Sequence, residues 1–202
     1  MASAVALLRG INVGGRNLIR MPELQSAFRD AGYADVRTYI QSGNVLFTTD
    51  AVAGPALEAD VERVLEERFG TAIMTVVRSR DDLAAVIDAA PPGHGDPDLR
   101  SDVLFLKELA ATPDLLAALP DLDPDVDRVA SGPGVLYFSR VAARAGSSRL
   151  TRIIGMPIYK RLTIRNWILS VDRGARDRDG SEGPRGSRRA SRSTSPPLAT
   201  RR

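Results

Sequence analysis

Cysteine is missing from all 202 residues. Its absence excludes disulfides, zinc–thiolate centres and cysteine nucleophiles, and a chain of this kind suits a reducing cytoplasm. Histidine occurs once, as His94 in a Pro/Gly-rich loop. We read it as exposed and incidental, so neither a histidine-based triad nor a His-rich metal site is expected. Aromatic residues make up 5% of the chain. No K/R-G-F/Y-G/A-F-V-x-F/Y run occurs, which argues against an RRM-type RNA-binding face. No segment approaches the ~18 consecutive apolar residues of a membrane span. The start, Met1 to Leu8, lacks a basic n-region, so a signal peptide is not expected either.

What is present suits a folded domain. The chain is 43% hydrophobic and 26% charged, and a body of about 150–170 residues buries roughly 70% of its unfolded surface. Charge is unevenly placed. From Arg173 to Arg202 nine arginines face Asp177, Asp179 and Glu182, a balance of +6. The whole chain carries +3, so residues 1–172 carry −3. The sequence pI near 9.7 therefore describes the tail rather than the body, and overall basicity is no argument for nucleic-acid binding. Gly, Ser, Arg, Pro and Asp dominate residues 173–202, a composition too poor in apolar groups to offset the entropy of ordering. The tail is expected to be disordered. Nucleic acid remains a conceivable partner for it, though not the favoured one.

Along the body, residues 3–9 read as a buried strand and Pro22 opens a helix with Leu24, Ala27, Phe28 and Ala31 on its apolar face. Val36–Ile40 and Val45–Thr48 read as strands joined by the Gln41–Asn44 turn. Pro55 opens a second helix facing inward through Leu57, Val61, Val64 and Leu65, and Ile73–Val77 is a fourth strand. The order βαββαβ is that of a ferredoxin-like unit. A right-handed crossover makes strands one and two parallel, so the loop after the first strand and the 41–44 turn should be neighbours. Ser79 and Asp82 predict a capped helix. The Pro91–Pro97 loop marks the boundary between a first subdomain, 1–90, and a second, looser one, 91–172. The second repeats the order through a strand at 103–106, a helix at 113–119, strands at 126–129 and 135–138, a helix from about 148 to 154 and a strand at 162–164. The fold class is thus α+β, two βαββαβ ferredoxin-like subdomains followed by a disordered basic tail.

The segments Leu7-Leu8-Arg9-Gly10-Ile11-Asn12-Val13-Gly14-Gly15-Arg16-Asn17 and Thr38-Tyr39-Ile40-Gln41-Ser42-Gly43-Asn44-Val45 closely resemble those of a bacterial family, domain of unknown function 1697. Gly146, Ser148, Arg149 and Leu150 look like its G-x-S-[KR]-L segment, and Thr163 with Arg165-Asn166-Trp167 resembles its T-x-R-N-W signature. The resemblance spans roughly residues 3–167. It implies a two-part α+β fold with ferredoxin-like character and no settled activity. After Trp167 the family continues with Asn and a further helical turn, whereas Ile168 and an arginine-rich stretch follow here. Either a natural extension or a slip of the reading frame accounts for that departure.

Function is sought at the glycine–arginine loop. A strand running through glycines and arginines into a helix can form an anion site, because backbone N–H groups converge beside guanidinium charge. The candidate ligand-binding residues are Arg9, Asn12, Gly14, Gly15, Arg16 and Asn17, joined by Gln41, Ser42 and Asn44 from the neighbouring turn. The plainer account is a tight turn with solvated arginines and ordinary hairpin-tip chemistry. The loop is no Walker loop, since no Gly-Lys-Ser/Thr follows, and it lacks G-x-G-x-x-G spacing. Ser148 and Arg149 are further candidates, the serine being also a natural helix cap. Arg165, Asn166 and Trp167 offer a guanidinium, an amide and an aromatic platform, although a Trp filling the junction between subdomains is the favoured reading. Carboxylates form no obvious catalytic pair, and most are expected on wet helix faces. We expect a binding module for a small anionic ligand, a phosphorylated metabolite or nucleotide. The alternatives are an enzyme of unknown reaction on the same face and an RNA-binding or protein-interaction module. No cofactor, metal or membrane contact is expected.

Overall fold

Residues 1–14, 17–39, 43–107, 116 and 119–167 are described by a computed structural model. The first half runs β1 (Ala2–Leu8), α1 (Met21–Asp30), β2 (Ala34–Thr38), β3 (Asn44–Thr49), α2 (Pro55–Phe69), β4 (Thr75–Ser79) and α3 (Arg80–Asp88). The second runs β5 (Leu99–Leu106), β6 (Asp127–Gly132), β7 (Val135–Val141), three short 3₁₀ segments and β8 (Leu162–Asn166). The sheets have the orders β2-β3-β1-β4 and β6-β7-β5-β8, and every pairing is antiparallel. Both are the ferredoxin-like order expected from the alternation of elements. The loop after β1 and the turn before β3 do meet, for Leu8 donates its N–H to Gly43 O at 2.8 Å.

Alternation along the central strands sorts side chains between layers. Ala4, Ala6 and Leu8 of β1 face α1 and α2 with Leu24, Phe28, Leu57, Val61 and Leu65. Val5 and Leu7 turn the other way and join Val76, Val103, Phe105, Val135 and Tyr137 in a cluster fed by both sheets. Leu104, Leu106, Leu136 and Phe138 point to the far side, against Leu150, Ile153, Ile158 and Leu162. The sheets therefore pack face to face, and helical segments cover the outer faces.

Local signals explain two of the element ends. Gly70 closes α2 in the left-handed conformation, φ 68°, where glycine carries no Cβ penalty. The Ser79–Asp82 capping box that opens α3 is present in both directions. One expectation is overturned. The helix placed at 148–154 is instead a chain of 3₁₀ turns, Ala142–Ser147, Leu150–Gly155 and Pro157–Arg161. Gly146, Gly155 and Pro157 interrupt this stretch too often for an α-helix to propagate. β4 and β5 also sit differently from their expected ranges, at 75–79 and 99–106. The helix expected at 113–119 and the tail from 173 lie outside the described residues, save Leu116 and Leu119. Among the described residues no helix is long and apolar enough to cross a membrane, and no group of His, Asp or Glu is placed to hold a metal ion.

Candidate functional site

The glycine–arginine loop is held by its asparagines. Positive φ at Gly10, Asn12, Gly14 and Asn17 suits glycine and asparagine, which reach the left-handed region at least penalty. Asn12 Oδ1 accepts the Ile19 N–H at 2.8 Å, and Nδ2 returns a bond to Ile19 O at 3.0 Å. Asn17 Nδ2 donates to Gly10 O at 3.3 Å, and Asn12 N–H donates to Asn17 O at 3.1 Å. Gly43 closes the base: its φ is +74°, and a Cβ there would lie 2.8 Å from Ile11 Cγ1 and 3.0 Å from Leu8 Cβ.

Between this loop and β8 lies a cleft of about 600 Å³, lined by Leu8, Arg9, Gly10, Asn17, Met74, Tyr159 and the strand residues Leu162 to Asn166 among others. That volume lies within the range of small-molecule sites. The guanidinium carbon of Arg9 sits 4.2 Å from the centre of the Tyr159 ring, a cation–π contact that fixes the arginine at the cleft wall. Tyr159 carried no sequence signal beyond its being one of few aromatics. Arg9 has no carboxylate partner among the described residues, and the described lining contains no Asp or Glu. A larger cavity of about 680 Å³ beside α1 and α2 differs in that carboxylates line it: Arg63 pairs with Asp60 and Glu67, and the terminal amine with Asp50.

Arg165, also at the cleft, is a strut. Its Nε donates to Asn44 Oδ1 at 2.8 Å, Nη1 to Thr163 Oγ1 and Ile164 O, and Nη2 to Leu8 O at 2.7 Å and Gly43 O at 3.3 Å. All five guanidinium N–H groups are committed within the protein, so its charge acts on the cleft through the field alone. Asn44 is buried in the same contact. Thus Arg9, Asn17, Arg165 and Asn166 converge on one cleft, while Asn12, Gly14 and Asn44 belong to the scaffold around it. Gly15, Arg16, Gln41 and Ser42 lie outside the described residues. Ser148 lines an adjoining cavity of about 530 Å³ that shares Tyr159 and Ile164 as a wall; its Oγ accepts the Leu150 N–H at 3.3 Å. Arg149 is tied by its backbone N–H to Asp127 Oδ2 at 3.0 Å. Trp167 packs, partly buried, on the cluster between the sheets.

One expectation fails. His94 is half-buried, not exposed. Its Nδ1 bonds Ser139 Oγ at 2.9 Å and its ring stands edge-on to Trp167 and Tyr137, with centroids at 4.7 and 5.3 Å. Burial pushes its pKa below the ordinary value. One carboxylate stands apart from the wet helix faces expected of most. Glu58 is fully buried and Arg78 is 1% exposed. The two are joined at 3.2 Å. Burial drives the Glu58 carboxyl upward, opposed by the Val77 N–H and by Arg78, and the same burial lowers Arg78. A lone Glu in a helical pattern gives no sign of such a partner twenty residues away.

A family model described as Protein of unknown function (DUF1697) matches residues 1–137. The chain belongs to that family. The DUF1697 match takes in the glycine–arginine loop and ends within β7, so Tyr159 and β8, the other wall of the cleft, lie beyond it. Comparison with curated proteins finds no match. Among solved structures, conserved bacterial protein SP0830 of Streptococcus pneumoniae aligns with a TM-score of 0.71 at 24% identity, covering 86% of this chain and 97% of its own. That likeness speaks for the fold alone.

Proposed function

We propose that this DUF1697 protein is a binding module for a small anionic ligand, a phosphorylated metabolite or nucleotide, held in the cleft between the glycine–arginine loop and β8. One observation carries the reading. Arg9 presents a positive charge at the wall of a 600 Å³ cleft whose described lining holds no carboxylate. A cation held in a concave, partly apolar site without an internal counter-ion favours an anion from solution. The cysteine-free composition supports a cytoplasmic setting, where such ligands abound.

Thermal unfolding of the full chain against nucleotides, sugar phosphates and inorganic phosphate tests this reading, with Arg9→Ala alongside. A ligand at a hundred times its dissociation constant adds about 2.7 kcal/mol, or roughly 5–10 °C for a protein of this size. A shift present in the parent protein and absent in Arg9→Ala supports the cleft. Equal shifts in both proteins, or none in either, defeat it.

A further inference from the structure

The two halves carry the same construction at the end of their first strands, filled in one and open in the other. Leu8 donates its N–H to Gly43 O and Arg9 to Met74 O; correspondingly, Leu106 donates to Gly134 O and Lys107 to Arg161 O. The registers agree. β1 pairs Leu8 with Thr75 and Val5 with Arg78, and β5 pairs Leu106 with Leu162 and Val103 with Arg165. Thr75, Val77 and Arg78 therefore correspond to Leu162, Ile164 and Arg165, and Lys107 to Arg9. The arginines behave alike across the interface. Arg78 donates to Val77 O and to Leu106 O of the other sheet, and Arg165 donates to Ile164 O and to Leu8 O of the other sheet.

β4 and β8 are both edge strands. The Arg9–Met74 bond sets the alternation along β4, so that the N–H groups of Thr75 and Val77 point away from β1 toward the open edge. Carboxylates meet them there. Glu62 Oε1 accepts from Thr75 N–H at 2.8 Å and pairs with Lys107 Nζ. Glu58 Oε1 accepts from Val77 N–H at 3.0 Å and from Arg78 Nη1 at 3.2 Å. Two acids one helical turn apart on α2 thus fill the edge of β4. At the edge of β8 the Lys107–Arg161 bond imposes the same alternation, turning the N–H groups of Leu162 and Ile164 outward. Among the described residues no α-helix supplies acids there, since 3₁₀ segments take its place. That edge borders the cleft, with Arg9 standing where Lys107 stands in the other half.

We propose that the ligand is bis-anionic, with one anionic group on the Leu162 N–H beside Arg9 and the other on the Ile164 N–H in the field of Arg165, the places that Glu62 and Glu58 hold at β4. This rests on the anion-cleft reading and sharpens it to a ligand class. Strand N–H groups two residues apart are about 7 Å apart, so the two groups need a spacer of several bonds. α,ω-Dicarboxylates and bisphosphates share that chemistry.

Isothermal titration of the full chain tests it with dicarboxylates from malonate to suberate, pyrophosphate, fructose 1,6-bisphosphate and ADP. Acetate, inorganic phosphate and fructose 6-phosphate serve as monoanionic counterparts. The expected result is an affinity that peaks at intermediate spacer length, at least tenfold above the matched monoanion, and falls at least tenfold in Arg9→Ala. Arg9→Gln repeats the test at similar side-chain volume should the alanine variant not fold by circular dichroism. The tighter of the carboxylate and phosphate arms names the source of the anions. Monoanions binding within twofold of the best bis-anion, with dependence on Arg9, would overturn the bis-anion proposal and leave the anion cleft standing. Absence of binding by every probe, or binding indifferent to Arg9, would overturn both.

Discussion

At the scale of single residues, buried charges carry the sharpest expectations. Removing one partner of a buried ion pair strands the other, which costs about 3–5 kcal/mol. Glu58→Ala leaves Arg78 without its acid and Val77 N–H without its acceptor, so urea unfolding should show a loss in that range. A loss below about 1 kcal/mol would mean that water reaches Arg78. His94 makes a prediction about pH. Its pKa is lowered by burial from an ordinary value near 6.5, and its Nε2 is enclosed without a partner among the described residues. Well above pH 6.5 the imidazole is neutral in both the folded and the unfolded chain and contributes no pH dependence. As pH falls through that value the unfolded chain takes up a proton that the folded one refuses, so stability falls until the lower folded pKa is passed. Unfolding midpoints at pH 7.5 and 5.5 should therefore drop more in the parent protein than in His94→Asn, which keeps an acceptor near Nδ1. Equal drops would remove His94 from the account. The raised pKa values of Glu58 and Asp102 act in the opposite sense and in both proteins alike, so the difference between the two isolates the histidine.

At the scale of elements, strands and turns were legible and side-chain partnerships were not. Gly43, Gly70 and the Ser79–Asp82 box announced a turn, a helix end and a helix start because each conformation is available to few residue types. Apolar runs between them gave the strand order. The helix expected from about 148 to 154 is instead 3₁₀, because a run of one or two turns is too short for a period of about 3.0 to be told from one of about 3.6. The cleft was half legible: the loop was visible in its glycines, but its opposite wall is a strand edge whose outward N–H groups belong to the backbone and leave no mark in composition. Arg165 illustrates the limit. Sequence offered it as a ligand-binding cation, and the fold uses all five of its donors to tie β8 to the ends of β1 and the turn at Gly43. Arg165→Lys keeps the charge but can replace at most three of those bonds, and without the planar fork. It should lower stability by about 2–4 kcal/mol, since buried carbonyls left unpaired cost roughly 1–3 kcal/mol each. Recovery of full stability by lysine in urea titrations would show that charge rather than geometry ties β8 in place.

At the scale of the whole molecule, the question is whether two similar halves behave as one unit. Their shared cluster draws Val5, Leu7 and Val76 from one sheet and Val103, Phe105, Val135 and Tyr137 from the other, so neither sheet can open without wetting an apolar face of its neighbour. Arg78 and Arg165 cross that interface in opposite directions, each bonding a carbonyl at the end of the other sheet's first strand. Reciprocal ties of this kind couple the halves, because loss of either sheet takes a carbonyl acceptor from an arginine of the other. The single tryptophan packs against the same junction and reports on it by fluorescence, while far-UV circular dichroism reports chiefly on α1, α2 and α3 of the first half. The two probes should trace one urea transition with a common midpoint and slope, the signature of all-or-none unfolding. Arg78→Met should move both curves together to lower urea. If tryptophan fluorescence changed first while the dichroism held, the halves would be separable bodies that merely touch. The cleft that spans them would then depend on how they dock rather than on the fold of either.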